Sequence, residues 1–183
     1  MVRIKVFAFI GFLIVSLTSF AEDSLSSNTN NANVDAGSYH INVVLPEYMN
    51  WTLYKDNKDA SGYTKIYLPR KANNISEQNI TVTYDSSNQN SLRDDMQQVL
   101  DALDKTDCQV TNHKVLEKLK NHITFVVNLD QCADNKSITQ IFKIYNTDDG
   151  QYSITYSADT LAVDYDLINK MQNVILSSRL IAR

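Results

Sequence analysis

"CQVTNHKVLEKLKNHITFVVNLDQC", Cys108–Cys132, holds both cysteines of the chain, and its reading decides the fold. From His122 to Leu129 the residues alternate: Ile123, Phe125, Val127 and Leu129 fall on one face, His122, Thr124 and Asn128 on the other. A period of two is the mark of a half-buried strand. If the preceding residues pair with this strand antiparallel about Lys120, Cys108 and Cys132 stand opposite each other, equidistant from the turn. Asn121 then suits the left-handed position of a three-residue hairpin loop. A second reading stays open for "HKVLEKLK", where Val115, Leu116 and Leu119 have helix-like spacing. A short helix there would make the bridge join a helix-end loop to a strand end.

Whether the two thiols are structural depends on the compartment. Arg3 and Lys5 precede the apolar run "VFAFIGFLIV" at 6–15, and Ser19-Phe20-Ala21 presents small residues where a signal peptidase reads them. The expectation is a secretory signal peptide over 1–21, cut after Ala21, with an apolar run too short to favour a membrane span. Export puts the cysteines where disulfides form and persist. The spacing C-x4-H-x8-H-x9-C through His113 and His122 fits no zinc site, and redox pairs sit two residues apart. A structural disulfide is expected, contributing about 3 kcal/mol through the loop it closes. Neither a metal nor a cofactor is expected.

Without Arg3 and Lys5, 15 basic residues face 21 acidic ones, interspersed rather than in blocks. Such a chain has no broad electrostatic reason to seek nucleic acid or anionic lipid. N-x-S/T triplets begin at Asn50, Asn74, Asn79 and Asn135, as a chain rich in Asn, Ser and Thr produces by chance.

Residues 22–37, "EDSLSSNTNNANVDAG", offer too few apolar side chains to offset their ordering entropy and read as a flexible leader. A single domain over 38–183 follows. "YHINVVL", "WTLY", "YTKIYL" and "NITVTYD" read as strands, the first stopped by Pro46. Leu92, Met96, Val99, Leu100 and Leu103 then make one helical stripe, with Ser91 and Asp94 as a capping box. "ITQIFKIY" and "QYSITYS" flank "NTDDG", a hairpin signal with Gly150 available for positive φ. Ile168, Met171, Val174 and Ile175 mark a last helix capped by Asp164 or Asp166. Strands, helix, strands, helix predicts an α+β fold, an antiparallel sheet whose inner face is covered by two helices.

"VVLPEYMNWTLY", the mid-chain helix, the late hairpin and the C-terminal helix resemble the Mog1/PsbP/DcrB-like group of small α+β proteins. "YLPRKANNISEQNITVTY", the cysteine pair and "DQCADNKSITQIFKIYNTDDGQYSITY" resemble uncharacterised two-cysteine exported proteins of Gram-negative bacteria. The chain has Gln78-Asn79 where a Trp is common in that narrower group, and lacks a Gly near Asn146. The resemblance implies a PsbP-like sandwich and an assembly or binding module, and brings no catalytic residues.

No nucleophile elbow, P-loop, dinucleotide fingerprint or zinc-protease helix occurs. His40 and His122, on the polar phase of their strands, read as exposed surface histidines, and the acids of "DQCAD" and "TDDG" as turn residues. Aromatic residues crowd the first half instead. Tyr39 and Tyr84 fall on inward phases, whereas Tyr48, Trp51 and Tyr54 flank the Pro46 loop and form the candidate binding surface. The leading expectation is an exported non-enzymatic protein, periplasmic or secreted, that binds a protein or envelope component. The alternatives are a small secreted hydrolase or effector with a site around His122, and a carrier using a groove between sheet and helices.

Overall fold

Along the chain run β1 (Tyr39–Asn42), β2 (Trp51–Lys58), β3 (Gly62–Pro69), β4 (Gln78–Asp85), α1 (Leu92–Leu103), β5 (Gln109–Lys118), β6 (His122–Asp130), β7 (Ile138–Asn146), β8 (Gln151–Asp159), α2 (Tyr165–Ser177) and β9 (Arg179–Ala182). The computed structural model describes residues 37–183 except 71 and 73. The expected signal peptide, and the expected leader apart from Gly37, lie outside the described residues. Seven strands form an antiparallel sheet in the order β2-β3-β4-β8-β7-β6-β5, while β1 and β9 pair as a separate antiparallel ribbon. The fold class is the expected α+β, an antiparallel sheet with two helices.

The cysteine-bounded stretch is a hairpin. His113 faces Val127, Lys114 faces Val126 and Val115 faces Phe125, the register centred on Lys120. Beyond its open end Cys108 and Cys132 are joined, with an S–S distance of 2.06 Å. No helix forms at "HKVLEKLK". The register shifts between Val110 and Asn112 and again between Val115 and Glu117. Each bulge inserts an extra residue, and that breaks the alternation and imitates helical spacing.

The loop also differs from expectation. Leu119 N–H donates to His122 O at 2.9 Å, and Asn146 N–H donates to Asn121 O at 2.9 Å. Asn121 thereby continues the β6–β7 ladder and does not take the left-handed conformation. The non-glycine residues with positive φ among those described are Asn50, Gln131, Asp134 and Asn135.

β7 explains the layering. Its residues from Thr139 to Tyr145 are all buried, so both of its faces are covered. Phe142 and Ile144 join Ile123, Phe125, Val127 and Leu129 of β6 under Leu92, Leu100 and Leu103 of α1. Ile141, of opposite phase, joins Ile80, Ile154 and Tyr156 under Ile168, Met171 and Ile175 of α2. Successive strand residues point to opposite faces, so the two helices cover opposite faces of the sheet rather than one inner face. Each helix starts as expected. The Ser91 side chain accepts from the Asp94 N–H and that of Asp164 from the Asp166 N–H.

A third cluster ties the ends of the described chain together. Tyr63, Tyr84, Tyr145 and Tyr152 are buried, with Tyr39 of β1 and Leu180 of β9 packed on them. Tyr84 and Tyr152 lie 4.5 Å apart between ring centroids. Asp149, read from sequence as an ordinary turn acid, accepts from Thr147 Oγ1 at 2.5 Å, Ser38 N–H at 2.5 Å and Tyr152 O–H at 3.0 Å. Burial works against its charged form, but these hydrogen bonds, led by Thr147, hold its carboxyl below the usual range. Gly150 beside it has φ +140, and a Cβ there would lie 2.5 Å from the Asp85 carbonyl oxygen. The turn therefore requires glycine.

Candidate functional site

The three sequence-predicted surface aromatics sit at one end of the seven-stranded sheet, where β2 is the edge strand. Pro46 leads into a single 3-10 turn, Glu47–Met49, whose Met49 is buried in the α2 core. Asn50, with φ 47, reverses the chain into β2. That anchor holds the neighbouring side chains out. Tyr48 is 64 % exposed, Leu53 51 %, Tyr54 62 % and Val44 80 %.

Trp51 differs from its neighbours: it is half-buried and packs on the α2 core. Its Nε1 is buried with no hydrogen-bond partner. Tyr54 sits in the bulge between Leu53 and Lys55, where the register against β3 shifts. Burial, and after it the electrostatic influence of Tyr48, pushes the Tyr156 hydroxyl up from its ordinary pKa. The structure thus places Tyr48, Trp51 and Tyr54 in the 3-10 turn and the edge strand that follows it and adds Leu53 of that strand; Val44, ahead of the turn, is exposed as well. Both were missed because they sit inside strand-like runs, where an apolar residue reads as core.

His122 departs from expectation. Rather than an exposed surface residue, it is half-buried, with Nε2 2.9 Å from Glu117 Oε2 and Nδ1 3.1 Å from Asn121 Oδ1. The bulge at Val115/Glu117 is what turns Glu117 toward it. Lys143, 3 % exposed, donates to Leu176 O at 2.7 Å and Ser178 O at 3.1 Å, and approaches Glu117 Oε2 at 3.4 Å. Burial lowers the pKa of the lysine, opposed by Glu117. Burial alone would raise that of Glu117, but the hydrogen bond from His122 and the charge of Lys143 hold the carboxyl below its usual range.

Each ammonium direction is engaged, two of them on carbonyls at the C-terminal end of α2, where a cation is favoured. The cluster therefore works as a tie between hairpin and helix. Glu117 is 35 % exposed and the group sits at the surface, not in a deep pocket. His40 is exposed, as expected. A depression of about 490 Å³ lies elsewhere, by the disulfide, lined by Asp104, Thr106, Asp107, Cys108, Gln109, Val110 and Gln131. Among the described residues no group of His, Cys, Asp or Glu is arranged to hold a metal ion. No described helix is long and apolar enough to cross a membrane.

No family model and no curated protein matches the chain. Among solved structures, PA94, a Pseudomonas aeruginosa protein of unknown function, is 11 % identical, covers 68 % of this chain and 96 % of its own, and has a TM-score of 0.45. LpqN of Mycobacterium tuberculosis, involved in cell envelope biogenesis, is 16 % identical over 81 % of this chain and 87 % of its own, with a TM-score of 0.50. At that identity the likeness to LpqN is one of fold.

Proposed function

We propose that this chain is an exported, non-enzymatic binding or accessory protein of the cell envelope, a PsbP-type sandwich that captures a protein partner around Tyr48, Trp51 and Tyr54. The observation that carries the reading is the exposure of Val44, Tyr48, Leu53 and Tyr54 within one stretch beside an edge strand. Exposed apolar side chains gathered in this way mark interaction surfaces. Tyr and Trp there supply buried area with a polar tip, as interface anchors do. The disulfide suits an oxidising compartment outside the cytoplasm. The fold shared with LpqN supports an envelope role by analogy alone.

The hydrolase reading has one observation in its favour, the His122–Glu117 contact of 2.9 Å. Against it, both ring nitrogens face acceptors on neighbouring side chains, and Thr124 Oγ1 donates to the same carboxylate at 3.5 Å rather than to the imidazole. General-base chemistry needs a ring nitrogen free to take a proton from substrate.

The test is to fractionate the native host into periplasm, membrane and culture supernatant. The wild-type protein and a Tyr48→Ala/Tyr54→Ala variant are then used as bait in the fraction that contains the protein. A partner retained by the wild type and lost by an equally stable variant is the expected result. Equal retention by both moves the partner surface elsewhere.

A further inference from the structure

The face of the sheet that carries α1 is not uniform. Over β6 and β7 it presents Phe125, Val127, Phe142 and Ile144 to the helix. Over β4 and β8 the same face presents small hydroxyls in register. Thr83 stands opposite Ser153 and Thr81 opposite Thr155, and along the next rank Ser157 stands opposite Gln140 of β7. Thr81, Thr83, Ser153 and Ser157 are half-buried and reach solvent.

None of these six side chains is charged. Sheet geometry spaces them at about 4.8 Å between strands and about 7 Å along a strand, an array of neutral donors and acceptors on a nearly level floor. Threonine and valine are close in shape and similar in strand preference, so a fold that needed only to cover this area would be served by apolar residues, as on β6 and β7.

Gln140 of β7 adds a buried polar group to this face. It is 5 % exposed, and its Nε2 leans over Ser157, 3.5 Å from Oγ. The other end of the carboxamide, Oε1, is buried with no hydrogen-bond partner. An orphaned buried acceptor is costly to keep. It sits at the border between the apolar and hydroxyl halves of this face. Its last torsion is soft, and turning Oε1 toward a ligand on the hydroxyl ranks exchanges the long 3.5 Å contact of Nε2 with Ser157 for a bond to the ligand.

We propose that the β4–β8 hydroxyl floor is a binding site for an uncharged oligosaccharide, one of whose hydroxyls donates to Gln140 Oε1. The match is one of chemistry. A sugar offers many neutral hydroxyls that both donate and accept, as Ser and Thr do. A phosphate or carboxylate ligand would instead call for cations or bidentate arginines; β4, β8 and β7 place none in these ranks, and the Thr81 rank reaches a cation, Lys55, only two strands away beyond Ile66. The site lies on another part of the sheet from the Tyr48–Tyr54 edge and does not depend on the function proposed for that edge.

The test uses the exported full-length protein on an array of neutral, sialylated and phosphorylated glycans, followed by calorimetry with the neutral glycans retained. The expected result is saturable binding to one or more neutral oligosaccharides. Thr81→Val combined with Ser157→Ala should weaken it at least tenfold without changing the melting temperature, and Thr81→Ser, which keeps the hydroxyl, should retain it. No glycan binding on the array, retention of charged glycans alone, or equal affinity in the Thr81→Val/Ser157→Ala variant would overturn the proposal.

Discussion

The two edges of the seven-stranded sheet are built alike and finished differently. Each is an antiparallel hairpin whose outer strand carries bulges, β2 at Tyr54 and β5 at Val110/Asn112 and Val115/Glu117. The β5 edge is locked: the disulfide closes its open end, α1 covers its inner strand, and Glu117 ties it to Lys143. The outward residues Thr111, Asn112, His113 and Lys114 are polar, though Val115 and Leu119 remain exposed nearer the turn. At the other edge no disulfide staples the hairpin, and Tyr48, Leu53 and Tyr54 stay in water. One edge spends its side chains on stability, the other keeps them available. That difference is why the partner surface is assigned to β2.

The largest expected effect breaks the locked side. Phe125 is fully buried and stacks on Phe142 at 4.9 Å between ring centroids. Phe125→Ala should cost about 4 kcal/mol of unfolding free energy in a denaturant titration. Next, Cys108→Ser with Cys132→Ser should cost about 3 kcal/mol, measured in the same way, by releasing the loop between them. If reductant leaves the wild-type midpoint unchanged, the staple does not carry the stability of that edge.

Much of the locked side was legible in the sequence. Alternation from Ile123 to Leu129 gave β6, and the equal spacing of the cysteines about Lys120 matches the register only between the two bulges, where Asn112 to Val115 face Asn128 to Phe125. The Leu92–Leu103 stripe marked α1 to the residue. β5 stayed ambiguous because its bulges erase the period of two on which a strand is recognised. The placement of the helices on opposite faces left a partial mark in "ITQIFKIY", where each phase carries large apolar side chains, Phe142 and Ile144 on one and Ile141 and Tyr145 on the other, among polar residues that blur the pattern. β9 left no local mark: "RLIA" follows α2 after one residue, and it becomes a strand only by pairing with β1 far away in sequence.

Of the candidate surface, the sequence marks residue types and a place in the chain. Tyr48 and Tyr54, singled out by type and by the nearby proline, are exposed. Trp51 was placed in the same patch, yet its ring is largely taken up by the core. The surroundings of His122 depended on the bulge that aims Glu117, which residue types do not reveal.

A smaller effect separates the covalent tie from the ionic one. Glu117 and Asp149 have carboxyl pKa values held below the usual range in the folded chain. Their contribution is complete above the unfolded values near pH 4 and is lost as pH falls through the lower folded values. Thermal melts between about pH 5 and 2 should therefore show stability falling with acid. The slope should flatten in Glu117→Gln and Asp149→Asn variants, while the disulfide persists throughout. A wild-type slope as flat as that of the variants would remove the ionic tie from the account.

The smallest expected change in stability belongs to the open edge. Tyr54→Ala should shift unfolding free energy by no more than about 0.5 kcal/mol, as for an exposed residue that packs little. A loss comparable to that of the disulfide would mean that Tyr54 is part of the core.

The most direct measurement places a photo-reactive phenylalanine analogue at Tyr54 in one strain and at His113, on the opposite edge, in another. Both strains are irradiated in living cells and the adducts resolved by mass. The account predicts a discrete cross-linked partner from position 54 and none from position 113. Adducts from 113 with none from 54 would contradict it.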